Sequence, residues 1–224
     1  MANTSPSAQA PSPSPSPKPS CTADPPSGST VAGVTNPGGP SPSEAFEVKI
    51  PDSWGSQTFA KLTKPFSLRA FDNATTATTR QFLNVTVSST RVGSLSTKTT
   101  VSDELQSEKD SAPKDGYKLD PEIECTVADA EAAAILEQKA DATNGGTLYI
   151  YEIILIGYSV DDIFNDQDAT TFTIVGGAHD KDKDNMISVV KSVAGSWRWV
   201  HGYQGTPTQT SSPSPKRSTS PSPS

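Results

Sequence analysis

Aromatic residues and prolines divide this chain into three regions. All fifteen aromatic residues lie between Phe46 and Tyr203, and sixteen of the twenty prolines lie outside that window. A folded core needs large apolar side chains, whereas Ser/Pro-rich segments have little to bury and keep a polyproline II character. We therefore predict a single folded domain over residues 45–203. A disordered Ser/Pro-rich arm, residues 1–44, precedes it, and a disordered Ser/Pro-rich tail, residues 204–224, follows it.

The charge of the predicted domain is unevenly distributed. Residues 45–102 carry seven basic and three acidic residues, whereas residues 103–168 carry four basic and seventeen acidic residues. Nucleic acids and anionic membrane surfaces are bound by clustered Lys and Arg, so we predict no nucleic-acid partner. Apolar runs such as Ile153–Ile156 are far shorter than a membrane-spanning helix requires. We therefore predict no direct membrane span, and we expect a monomer.

Alternating apolar and polar residues predict most of the strands. The predicted strands are Ala45–Pro51, Phe66–Ala70, Phe82–Val87, Tyr117–Val127, Thr147–Tyr158 and Thr170–Val175. Thr147–Tyr158 is apolar on both faces, which is typical of a central strand. The segment Ala128–Ala140 has high helix propensity. Its strand neighbours and the hairpin-type turn Asn144-Gly145-Gly146 nevertheless favour a strand over Ala133–Lys139.

Two helices complete the predicted architecture. Ser102, followed by two acidic residues, is typical of an N-cap and predicts a helix that ends near Ser111. Asp184 or Asn185 caps a second predicted helix, Met186–Trp199. On that helix Trp197 and Trp199 would point to different sides, so we expect Trp197 in the core and Trp199 partly exposed. The predicted fold class is α+β, a single domain in which an antiparallel sheet is sandwiched by helices.

No sequence motif identifies a reaction or a cofactor. Asp180, Asp182 and Asp184 match the first ligand positions of an EF-hand, but Asn185 stands where the turn needs Gly, and Lys191 where a bidentate Glu is needed. We therefore predict no metal site, no cofactor and no catalytic residues. The candidate ligand or partner surface consists of Trp54, which follows a turn, and Trp199.

The two cysteines leave two alternatives open. Cys21 and Cys125 remain free thiols if the arm is extended, and they pair only if the arm folds back on the domain. Lipidation of Cys21 is unsupported, because Pro19 and Ser20 precede it where a lipobox has other residues. The N-terminus also lacks the apolar segment of a signal peptide. We expect an extracytoplasmic or cell-surface protein, or a cytoplasmic one if the given start is native.

Two short motifs at the ends of the domain resemble those of a known fold family. Val48, Pro51 and Trp54 are similar to the opening motif of PsbP-like α/β/α sandwiches, and Ser196-Trp197-Arg198-Trp199 is similar to their closing one. The chain most resembles the actinobacterial LpqN-type lipoproteins of this family. It departs from them in lacking a lipobox and in the helical composition around Ala133. The resemblance implies a non-catalytic binding or accessory domain.

These observations lead to one functional hypothesis and two alternatives. The hypothesis is a bacterial, envelope-associated binding or accessory module that binds an unknown protein or a small apolar ligand. The first alternative is a secreted hydrolase with a site in the acidic half of the domain. The second is a cytoplasmic adaptor that is regulated through its Ser-Pro tails.

Overall fold

The structure, a computed structural model, describes most of the predicted domain and part of the sequence predicted as arm and tail. The described residues are 20–35, 44–57, 65–73, 81–90, 100–143, 145–159 and 169–206. The rest of both predicted Ser/Pro-rich arms, residues 1–19, 36–43 and 207–224, lies outside this set.

Twelve strands and two α-helices are present in the described part of the chain. They are β1 Gly28–Val34, β2 Glu44–Pro51, β3 Trp54–Gln57, β4 Phe66–Asp72, β5 Phe82–Thr90, α1 Val101–Ser111, β6 Lys118–Leu119, β7 Ile123–Val127, β8 Ala130–Ala140, β9 Thr147–Ser159, β10 Ala169–His179, α2 Lys183–Gly195, β11 Arg198–Trp199 and β12 Tyr203–Gln204. A turn of 3-10 helix, Asp180–Asp182, leads into α2.

The strands form a large sheet and a small one, and all their pairings are antiparallel. The large sheet has the order β3-β4-β5-β10-β9-β8-β6, with β7 also pairing with β8 and β12 with β9. The small sheet has the order β1-β2-β11. α2 and the small sheet cover one face of the large sheet, and α1 packs on the other face at β8 and β9. The predicted fold class is confirmed.

The Ala-rich segment Ala130–Ala140 is a strand, as its neighbours predicted. Ala132 pairs with Leu155 of β9 and Ala133 with Ile154, so consecutive side chains are buried on opposite faces of the sheet. Burial between two layers overrides the helix propensity of the alanines. The hairpin that joins β8 to β9 includes Gly145 and Gly146, both with positive φ, while Asn144 lies outside the described residues.

Three of the predicted helix ends are wrong. The N-cap of α1 is Thr100, whose side chain accepts a hydrogen bond from Asp103 N at 3.1 Å, while the Asp103 carboxylate accepts from Thr100 N at 2.9 Å. This capping box forms two residues earlier than the predicted Ser102 cap. The second helix begins at Lys183 and already ends at Gly195, because the chain must turn into β11 to pair with β2.

The predicted boundary of the N-terminal arm is also wrong. Residues 20–35, here called the N-terminal strap, fold back on the domain. β1 of the strap pairs with β2 over its length, and Val34 is completely buried. The strap has no aromatic residue, and its packing depends instead on a covalent bond and a strand partner. At the other end, residues 204–206 still belong to the fold, since Gln204 pairs with Tyr158.

Candidate functional site

The N-terminal strap is attached to the domain at several points. A disulfide joins Cys21 to Cys125 of β7, and both cysteines are buried, so the alternative of a folded-back arm is the one that the structure shows. Ala23 N donates to Lys191 O of α2 at 3.0 Å. At the far end, Val34 N donates to the Ser67 hydroxyl at 2.8 Å, and that hydroxyl donates back to Val34 O at 2.6 Å.

The strap crosses the C-terminal end of α2 so closely that only glycine fits beneath it. A Cβ atom on Gly195 would collide with the carbonyl oxygen of Ala23. The close approach leaves a cleft beside the contact, between the strap, β2 and the segment that follows α2. Its volume is about 310 Å³, near the lower end of the range for small-molecule sites. The lining residues are Pro25, Thr30, Glu47, Val48, Lys49, Gly195, Ser196, Trp197 and Arg198. We call it the strap cleft.

Some polar groups along the strap cleft already have hydrogen-bond or ion-pair partners within the protein, and others do not. Ser196 Oγ donates to Val193 O at 2.7 Å and accepts from Lys49 N at 2.8 Å, so this hydroxyl is committed to holding the end of α2 against β2. Arg198 forms an ion pair with Glu47 at 2.8 Å. The ammonium of Lys49 forms no ion pair with another described residue. The cleft therefore presents an available cation beside a neutralised pair.

One wall of the strap cleft is the rigid aromatic centre of the domain. Trp197 is 3% exposed and stacks on Phe46, with ring centroids 3.9 Å apart. Phe172 and Trp199 contact its ring edge-on, at 5.6 and 5.3 Å. Trp197 and Trp199 thus contact each other, contrary to the prediction that they face different sides. The reason is that both follow α2, and residues two apart in an extended segment share a face.

The two tryptophans predicted as a ligand surface lie apart. Trp54 is on the edge strand β3 and packs against the core, whereas Trp199 lies over Phe172 of β10. Strands β4 and β5 separate these positions in the large sheet. Trp199 Nε1 also donates to Ala128 O at 2.9 Å, which ties β11 to the turn between β7 and β8. Their role in ligand binding stays a prediction, but they do not form one surface.

The aspartate-rich loop and the two histidines have structural partners outside the strap cleft. Asp180 Oδ2 accepts from Thr147 N at 3.0 Å, which fixes the β8–β9 hairpin against the loop. His179 Nε2 lies 2.8 Å from Asp141 Oδ2, and His201 Nε2 lies 3.0 Å from Glu44 Oε2. Within the described ranges, no three His, Cys, Asp or Glu side chains are grouped so as to hold a metal ion.

The strap cleft is not predictable from local sequence patterns, because two of its walls come from segments that those patterns predict to be an arm and a helix. Pro25 and Thr30 fall in the predicted arm, and Gly195–Arg198 fall in the predicted helix. Cys21 was the available signal, since a cysteine in a Ser/Pro-rich segment that pairs with Cys125 must bring that segment onto the domain.

Of the described helices, neither α1, with eleven residues, nor α2, with thirteen, is long and apolar enough to cross a membrane.

Comparison with known proteins identifies the fold. No protein-family model matches the sequence, and no curated protein matches it either. Among solved structures, the chain is similar to LpqN of Mycobacterium tuberculosis, which is described as involved in cell envelope biogenesis. The two are 11% identical, with a TM-score of 0.55, over 77% of this chain and 92% of LpqN. The predicted PsbP-like, LpqN-type fold is confirmed.

A second solved structure is more distant. It is the solution structure of cyanobacterial PsbP, called CyanoP, from Synechocystis sp. PCC 6803. It is 12% identical, with a TM-score of 0.41, over 69% of this chain and 86% of CyanoP.

Proposed function

We propose that this protein is a non-catalytic binding module of the cell envelope, located outside the cytoplasm, and that its ligand site is the strap cleft. The observation that carries the proposal is the cleft itself, which the disulfide-anchored strap builds against the end of α2. The aromatic cluster around Trp197 forms one wall of the cleft, and the N-terminal strap, which is distant from it in the sequence, forms the opposite wall. This arrangement offers a preformed concave site of the kind that small ligands use.

The disulfide supports a location outside the cytoplasm. Structural disulfides persist in oxidising compartments and are rare where thiol reductants are abundant. Cys21 and Cys125 are both buried in the main core cluster, so their bond is part of the packed structure and not a surface feature. The likeness to LpqN, with its described part in cell envelope biogenesis, agrees with this location.

The lining of the strap cleft indicates the chemistry of the ligand. Pro25 supplies exposed apolar surface beside the buried side chains of Val48 and Trp197. Lys49 supplies a cation without an ion-pair partner among the described residues. A small molecule with an apolar body and an acidic group would satisfy both. Binding without catalysis is favoured because Ser196 is committed to two hydrogen bonds, and neither described histidine lines the cleft.

Calorimetric titration of the full chain tests this proposal with two probes that have ten-carbon chains and opposite charges. Decanoate carries the acidic group that Lys49 would attract, and decyltrimethylammonium carries the same apolar body with a positive head. We expect saturable binding of decanoate and at least about tenfold weaker binding of the cation, equivalent to roughly 1.4 kcal/mol. Equal affinity for both probes, or no saturable binding of decanoate, would contradict the proposed ligand chemistry.

Paired variants locate the site. Thr30 lines the strap cleft on β1, and its neighbour Ser29 points to the opposite face of the strand; both are exposed. Thr30→Trp should block decanoate binding, whereas Ser29→Trp should leave it unchanged. Lys49→Gln should weaken binding, while Lys118→Gln on distant β6 should not. Binding that survives Thr30→Trp would place the ligand elsewhere.

A further inference from the structure

Three glutamates meet on the face of the large sheet that α1 covers. Glu152 of β9 pairs with Ile135 of β8, and Ile135 packs in the apolar cluster beneath α1. Glu137 is two residues further along β8 and therefore lies on the same face. Glu108 of α1 lies close enough to Glu137 for their carboxyl groups to share a hydrogen bond. We call Glu108, Glu137 and Glu152 the glutamate cluster.

Glu137 is buried without the partners that an ionised carboxylate needs. Glu137 is 4% exposed, and its Oε1 atom has no hydrogen-bond partner among the described residues. A carboxylate only accepts hydrogen bonds, and burying one that lacks a donor is unfavourable. A protonated Glu137 is itself a donor, and the Glu108 carboxylate is an acceptor beside it. The surroundings therefore suit the protonated form.

The charged groups around the glutamate cluster add repulsion. Glu108 faces it from α1, and Asp115 and Tyr117 from the segment after α1. Lys139 of β8 is the nearby cation, but its Nζ donates to Asp115 O at 2.6 Å and lies 5.0 Å from the centre of the Tyr117 ring. On the side of β10, Thr171 presents a hydroxyl, which donates to Glu104 Oε1 at 3.3 Å.

This environment raises the pKa values of Glu137 and Glu152 into the neutral range. Burial, together with repulsion from Glu108, raises the pKa of Glu137 to about 7. Burial also raises the pKa of Glu152 to about 8, with further contributions from Glu108 and Glu137. Because unfolded glutamates lose their protons near pH 4.3, the folded protein retains protons that the unfolded chain releases.

α1 is attached to the sheet by few apolar contacts. Of its eleven residues only Val101 and Leu105 are buried, whereas α2 buries four residues. The docking of α1 is therefore the part of the fold that is most sensitive to repulsion beneath it.

We propose that the glutamate cluster is a proton-operated latch, which holds α1 on the sheet while its buried carboxyls are protonated and loosens α1 when they ionise. The sign follows from linkage, since protons are bound more tightly in the docked state. The contribution of the latch is complete below about pH 4.3 and decreases as the pH rises towards 7 and 8. Above about pH 8 it is lost. Release would uncover the apolar patch that contains Ile135, Ile154 and Ile156.

Amide hydrogen exchange in the full chain tests the latch. Protection factors, which correct for intrinsic exchange, are measured for α1 and α2 between about pH 5.5 and 8.5. One linked proton changes an equilibrium by up to about tenfold per pH unit. We expect α1 protection to fall at least about tenfold relative to α2. The variant Glu137→Gln/Glu152→Gln, which mimics the protonated acids, should keep α1 protected. Glu131→Gln, an exposed glutamate on the same strand, should behave like the wild type.

Two results would overturn the latch. One is α1 protection that stays constant over this pH range in the wild type, and the other is an equal loss in the wild type and in the double variant. If the double variant does not fold, the carboxyl carbons of Glu137 and Glu152 are titrated by NMR in the wild type. Values near 7 and 8 support the latch, and values below about 5 for both glutamates contradict it.

Discussion

Cys21 and Cys125, which are 104 positions apart in the sequence, are joined by a disulfide that brings their Cα atoms to 5.6 Å. Cys125 lies opposite Ala132 in the β7–β8 pair, so the bond fixes the start of the N-terminal strap to the large sheet. From there the strap passes over the end of α2 to β2 and forms one side of the strap cleft. The covalent bond and the proposed binding site are therefore parts of one structural unit.

Removing the disulfide should destabilise the domain substantially. In Cys21→Ala/Cys125→Ala the unfolded chain regains the conformational freedom of a loop of about one hundred residues. We expect the free energy of unfolding to fall by about 2–5 kcal/mol. Urea denaturation of the oxidised wild type, the reduced wild type and the variant measures this loss. Equal stabilities of the oxidised and reduced wild type would show that the bond is not stabilising.

Two N-terminal deletions separate the strap from the Ser/Pro-rich sequence before it. Deleting residues 1–19 removes a segment without aromatic residues, and the melting temperature should stay within a few degrees. Deleting residues 1–35 also removes β1, the disulfide and buried Val34, and should lower the melting temperature by at least about 10 °C. A similar melting temperature for both deletions would show that the strap does not support the domain.

Gly195 tests the close contact between the strap and α2. A methyl group at this position collides with Ala23 O, so Gly195→Ala should lower the free energy of unfolding by about 1–3 kcal/mol. Helix propensity alone would make the same change favourable. Ser188→Ala, on the exposed face of α2, is the control and should be neutral or slightly stabilising. Stabilisation by Gly195→Ala would mean that the strap does not cross the helix here.

The two neighbouring tryptophans should differ in their contribution to stability. Trp197 is fully enclosed and stacked on Phe46, so Trp197→Ala should lower the free energy of unfolding by about 3–5 kcal/mol. Trp199→Phe keeps a ring beside Phe172 but loses the hydrogen bond to Ala128 O. This loss should lower the free energy of unfolding by about 1 kcal/mol. Chemical denaturation measures both. Equal losses would indicate that Trp199 is as much a core residue as Trp197.

Local residue patterns predict many of the strands in both sheets. In β2, Phe46, Val48 and Ile50 are buried and Lys49 is exposed, as their alternation requires. β9 was recognisable as a central strand because both of its faces are apolar. The strand β8 is harder to predict from the sequence, because its alanines favour a helix when considered alone. Only pairing with β9 buries them on both faces of the sheet.

The features that build the strap cleft depend on contacts between distant residues. Helical spacing predicts Trp197 in the core, yet Trp197 lies there because the chain leaves α2 at Gly195 and returns to pair with β2. The strap has too few large apolar side chains to be recognised as folded. Its order depends on the bond between Cys21 and Cys125, which composition alone left undecided.

The oxidation state of Cys21 and Cys125 inside cells tests most directly the central claim, that a disulfide-held strap builds a binding site outside the cytoplasm. Cells that naturally produce the protein are quenched in acid, and free thiols are labelled with a maleimide before and after reduction. Intact-mass measurement then counts the labels on the full chain. The account predicts no label before reduction and two labels after it. Two labels before reduction would contradict it.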